Sequence, residues 1–157
     1  MSPLFLTLML NFGLILATLT LVWGISVALR DASIIDPCWG AGFVVLAWAT
    51  MTSNAEWSDR ALLLVLLTTA WGLRLSLFLG WRNFGHGEDR RYAAMRNHHG
   101  PRFWWVSLYT VFLLQAVLLW FIAWPLQITI GRIESSPLGW LDVLGAVVYA
   151  VGLCFET

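Results

Sequence analysis

The sequence contains no lysine, and charge of either sign is scarce at 11% of residues. Nine arginines balance nine acids, so the formal net charge is zero. A chain without a basic surplus has no electrostatic footprint for nucleic acid. Cysteine is almost absent too: Cys38 and Cys154 form no CxxC pair, which excludes a disulfide framework or a thiolate metal knot. The three histidines, His86, His98 and His99, have no zinc spacing, and adjacent histidines do not share a helix face. With Glu88 and Asp89 they fail as a metal set, and the two acids read better as partners for nearby arginines.

Apolar sequence takes the place of charge. Hydrophobic residues make up 59% of the chain and mean hydropathy is +0.75, against about 45–50% apolar in soluble domains. They fall in long runs rather than at amphipathic spacing, the pattern of membrane-crossing helices. The expected fold is an all-α polytopic transmembrane bundle forming one domain, with spans near 4–29, 37–51, 61–81, 103–130 and 138–155. The N-terminal run carries no charge before Arg30, so it lacks the basic start of a cleaved signal peptide and reads as a retained span. Asn11 within it suits a helix–helix hydrogen bond. Asp36-Pro37 has the chemistry of a helix start. Pro125 is a point where the fourth run can kink, and the segment from Gly131 to Pro137 is a turn.

One polar stretch interrupts these runs. The loop 82–102, entered at Trp81, holds all three histidines, two adjacent acids and Arg82, Arg90, Arg91, Arg96 and Arg102. Arginine counts place this loop and Arg30 in the cytoplasm, leaving Arg60 and Arg132 outside with the N-terminus. Tryptophans cluster accordingly, with Trp81, Trp104 and Trp105 at one boundary and Trp57, Trp124 and Trp140 at the other.

Arg74 is the one charge deep in a predicted span. An arginine at a helix centre costs about 2.5–3.5 kcal/mol on insertion scales. It lies roughly 12 Å of helix inside Arg82, too far for easy snorkelling. Asp36 is its expected partner, with a structural pair and a ligand-binding role both open. The loop arginines suit either the phosphates of a dinucleotide or the anionic headgroups of the membrane. Gly85-x-Gly87 is too short for a dinucleotide fingerprint and reads as a turn. Tyr92 and Tyr109 carry phenols able to act as acids near a carbonyl, or simply to pack. Gln115 is polar at depth, which suits an interhelical hydrogen bond.

Four motifs carry a resemblance: Asp36-Pro37-Cys38-Trp39-Gly40; Trp71-Gly72-Leu73-Arg74-Leu75; Arg82-Asn83-x-Gly85-x-Gly87-Glu88-Asp89-x-Arg91-Tyr92-x-x-Met95-Arg96; and Leu114-Gln115 running to Trp120. From about Arg30 onward the chain resembles the bacterial branch of the steroid 5-alpha-reductase-like membrane proteins. The resemblance implies a bundle of about seven helices that passes hydride from NADPH to an activated carbon–carbon double bond in a steroid-like or other lipid. It implies Arg74, Arg82, Asn83 and Arg91 as cofactor-binding or loop-supporting residues, and Asp36 as the catalytic candidate at the cavity end. The family's later Ala-Asp-x-Gln, Trp-Arg-Tyr and His-Pro-Asn-Tyr segments do not follow Phe155-Glu156-Thr157, so the chain is expected to be the N-terminal part of a longer catalyst. Two other readings stay open: an isoprenylcysteine methyltransferase-like enzyme using S-adenosylmethionine, and a non-catalytic lipid-binding membrane protein.

Overall fold

The computed structural model describes residues 2–54, 56–132 and 137–156. The expected turn from Gly131 to Pro137 falls largely outside them, at 133–136. Every regular element among the described residues is helical. Four stretches are long and apolar enough to cross a bilayer: Pro3–Leu29, Ala32–Thr52, Asp59–Asn83 and Arg90–Ile122. The protein is an all-α, polytopic integral membrane protein.

Helix α1 (Pro3–Leu29) opens with a Ser2 cap and a proline in its first turn, then runs 27 residues without a charge. Arg30 ends it in the left-handed conformation, at φ 56°, and closes the last turn onto Ser26 and Val27. A 3-10 turn (Ala32–Ile35) follows, with Asp31 accepting from the Ser33 N–H at 2.8 Å. Helix α2 (Cys38–Thr52) starts directly from that turn. Its first turn has no side-chain cap, because Asp36 is itself in the helical region and its carboxylate points elsewhere.

Helix α3 (Asp59–Asn83) packs antiparallel on α2 through Gly40 and Gly72. A Cβ on Gly72 would stand 2.6 Å from the Gly40 carbonyl oxygen, so the two backbones touch where only glycine fits. A polar lock ties α1, α2 and α7 together: Asn11 Nδ2 donates to Thr50 Oγ1 and to Gln127 Oε1, both at 2.8 Å. All three side chains are buried.

The expected fourth span, 103–130, is built differently. Helix begins earlier, at α4 (Arg90–His99), and passes through a 3-10 turn (Gly100–Arg102) into α5 (Phe103–Ser107). Leu108–Leu113 is a π-helical segment, and α6 (Leu114–Ile122) continues from it. The helix breaks at Ala123, and α7 (Trp124–Gly131) restarts with Pro125 in its first turn. Proline has no N–H to give the preceding turn, which accounts for the break. Helix α8 (Trp140–Phe155) has 16 residues, about 24 Å of helix against a hydrocarbon core of about 30 Å.

Helices α3 and α8 run parallel and meet through three polar rungs. Arg60 grips Asp142 with two bonds of 2.9 and 3.1 Å, the Tyr149 hydroxyl donates to the Leu67 carbonyl at 2.8 Å, and Arg74 Nη1 lies 2.9 Å from Glu156 Oε2. Each rung joins residues 82 apart in the chain, so the register is constant and the rungs recur every heptad.

Candidate functional site

The polar segment folds as a short loop and a helix docked against the turn between α1 and α2. Gly85 and Gly87 take φ of 78° and 73°, which lets the chain reverse within a few residues of α3. His86 Nδ1 lies 3.0 Å from the Phe84 carbonyl inside this reversal, and the His98 and His99 rings meet edge to face at 4.8 Å. Asp89 then caps α4, accepting from the Arg91 N–H at 2.9 Å.

Two acids attach the segment to the bundle. Glu88 Oε1 accepts from the Ala32 N–H at 2.9 Å, and the Asp89 N–H donates to Ser33 Oγ at 2.6 Å. Arg96 completes the joint with a fork onto Glu88, at 2.8 Å from Nε and 2.7 Å from Nη2. Burial alone would raise the Glu88 carboxyl, but the bonds from Arg96 and Ala32 and the Arg96 charge together hold it below its usual range. Asp89 is also held low, first by its hydrogen bond from the Arg91 side chain, with the Arg82 charge adding to the effect.

Asp36 is the centre of the site. Its side chain is 11% exposed, and it accepts from Arg91 Nη2 at 3.1 Å and from the Tyr92 hydroxyl at 2.8 Å. Gln115 Nε2 reaches the Tyr92 oxygen at 3.5 Å, and the Trp39 indole N–H donates to Gln115 Oε1 at 2.6 Å. A continuous polar line therefore runs from Arg91, whose side chain is 65% exposed, through Asp36, Tyr92 and Gln115 to Trp39. Gln115 lies one position into α6, directly after the π segment. π-helical turns re-aim side chains and recur at functional sites.

Expectation and structure part company at Arg74. It pairs with Glu156, through the side chain and through the backbone carbonyl, and Asp36 pairs with Arg91 instead. The reason is helical phase. Gly72 faces α2, and two residues later the helix has turned about 200°, so Arg74 points away from Asp36 and towards α8.

The other candidates sit on the polar side. Arg82 Nε has a long contact, 3.4 Å, to Asn83 Oδ1. Asn83 Nδ2 is buried with no hydrogen-bond partner, and the residue lines a cavity of about 330 Å³ with Asp31, Ser33, Gly80, Gly85 and Gly87. Arg90 forms no ion pair among the described residues. Arg82, Asn83 and Arg91 thus share one face with Asp36, and Arg74 does not belong to it. Tyr92 and Gln115 join the site, although the sequence alone favours packing for the first and a helix–helix hydrogen bond for the second. Gln115's polarity at depth was the available signal.

The family Protein of unknown function (DUF1295) matches residues 22–157. The chain belongs to this family. The match begins inside α1 and takes in the whole of the site just described. No curated protein and no solved structure matches the chain.

Proposed function

We propose that this DUF1295 protein is an NADPH-dependent membrane reductase of a conjugated carbon–carbon double bond in a steroid-like or other lipid, acting in a bacterial inner membrane. In this reading the N-terminus lies outside and the polar segment faces the cytoplasm. The observation that carries it is the polar line from Arg91 through Asp36 and Tyr92 to Gln115. It links a solvent-facing cation to hydrogen-bonding groups between apolar helices, beside an arginine-bearing loop. The sequence resemblance supplies the reaction class.

The side chains present suit part of a dinucleotide. Asn83 Nδ2 is a buried donor lacking an acceptor, and it lines a cavity large enough for a fragment of such a ligand. Arg82 has most of its guanidinium free for phosphate, a geometry guanidinium matches well. When bound, NADPH supplies the hydride. The chain's own part is to hold the ligand at Arg82, Asn83 and the exposed guanidinium of Arg91 and to keep a proton at the Tyr92 hydroxyl. Asp36 fixes that hydroxyl, and Arg91 holds the Asp36 carboxylate in place by donating to its other oxygen. Reduction of an activated alkene consumes one hydride and one proton, so a positioned hydroxyl with a path towards solvent matches the demand.

The test is isotope transfer. Full-length protein in proteoliposomes is given NADPH deuterated at the transferable position and a panel of conjugated enone lipids. The reading expects one deuterium at the β-carbon of a saturated product, with Tyr92→Phe slowing turnover by about 10²-fold or more. No labelled product from any enone would count against it.

A further inference from the structure

A second polar pocket, outside the Asp36 line, lies between the end of α1 and the junction of α4 with α5. It has a volume of about 540 Å³, and Ser26, Arg30, Arg96, Gly100, Trp104 and Ser107 are among its lining residues. Its lining includes two guanidinium groups and no carboxylate. The Ser26 and Ser107 hydroxyls donate to the Trp23 and Trp104 carbonyls, at 2.8 and 2.9 Å, so the donors left for a ligand are the arginines. Arg96 gives Nε and Nη2 to Glu88 and keeps Nη1, and Arg30 forms no ion pair among the described residues.

Arg30 carries a second signal. It is the only non-glycine among the described residues with positive φ, at a helix end that glycine occupies without cost. A side chain is kept there against conformational preference, and it borders this pocket. Aromatic groups mark the depth: Trp23 stacks near Trp104 at 6.3 Å, and its indole N–H donates to the Trp104 carbonyl at 2.8 Å. Tryptophan in such a position is typical of the membrane boundary.

We propose that this pocket binds a phosphate ester through Arg30 and Arg96, and that the phosphate is carried by an anionic lipid headgroup. Guanidinium matches phosphate by charge and by its fork of donors. The site is independent of the reductase reading and stands or falls separately.

Native mass spectrometry of the full-length protein, titrated with phosphatidylglycerol, tests it. Wild type and Arg102→Ala, which removes a charge that does not line the pocket, should each retain one lipid. Arg30→Ala and Arg30→Gly should weaken retention at least tenfold. Arg30→Gly should at the same time raise the thermal midpoint, because glycine relieves the left-handed cap; a merely structural arginine would not separate the two effects. Inorganic phosphate and NADPH serve as competitors. Arg30-dependent displacement of the lipid by either one supports the phosphate site and moves its source from lipid to free phosphate or cofactor. Equal loss in Arg102→Ala and Arg30→Ala, or no Arg30-dependent binding of any of the three, overturns the proposal.

Discussion

The Tyr92 hydroxyl donates to Asp36 Oδ1 across 2.8 Å, joining the helix of the polar segment to the turn ahead of α2. That bond lies between an exposed arginine and the half-buried Gln115 amide, and Tyr92 and Asp36 are themselves largely buried. It makes the two residues energetically dependent on each other.

Tyr92→Phe should therefore cost about 1–3 kcal/mol, since it leaves one buried carboxylate oxygen without its donor. Asp36→Asn should cost a similar amount. Residues joined in one network are not additive, and the double variant should lose less than the sum by about 0.5–3 kcal/mol. Thermal unfolding of the four proteins in detergent measures this, and strict additivity would contradict the coupling.

Glu88 makes the joint pH-sensitive. Its folded pKa is lowered from 4.5, so the folded state binds the proton less readily than the unfolded one. The stability it contributes is present in full above that unfolded value and is lost as pH falls through the lower folded value. Glu88→Gln should flatten this acid limb while leaving a constant deficit at neutral pH. An unchanged acid limb in the variant would assign the pH dependence to other groups.

Glycine at two places should respond in opposite ways. Gly72→Ala puts a methyl 2.6 Å from the Gly40 carbonyl and must push α2 from α3, a loss of several kcal/mol where backbones touch. Gly152→Ala, where a Cβ meets nothing within 4 Å, should be neutral or stabilising by up to about 1 kcal/mol. Midpoints that move together would contradict the close α2–α3 contact.

Arg74 anchors α8. Arg74→Ala removes the third rung to Glu156, and amide exchange along α8 should accelerate while that of α4 stays as in wild type. Faster exchange at α4, around Asp36 and Tyr92, would restore Arg74 to the site.

The bundle was legible because uncharged runs state their own length, and Pro125 announced the break near Ala123. The polar segment was equally plain as the place where charge collects. Which acid each arginine would take was not legible, because that depends on helical phase and on elements distant in sequence. Arg74 and Asp36 look matched along the chain, yet about 200° of rotation separates Arg74 from the face that meets α2. The constant offset that links α3 to α8 spans four intervening helices and leaves no local trace. The π turn at Leu108–Leu113 is equally silent, since its side chains would serve an ordinary α-helix. Tyr92 had a signal only as one of three phenols, and Trp39 had none beyond its motif.

Cofactor binding separates the reductase from the methyltransferase and non-catalytic readings. Thermal protection of the full-length protein in detergent tests it directly, with NADPH and S-adenosylmethionine offered in parallel. NADPH at a hundredfold its Kd should stabilise wild type by about 2.7 kcal/mol, and Arg82→Ala and Arg91→Ala should lose that protection. Protection by S-adenosylmethionine but not NADPH, or by neither, would contradict the reductase reading.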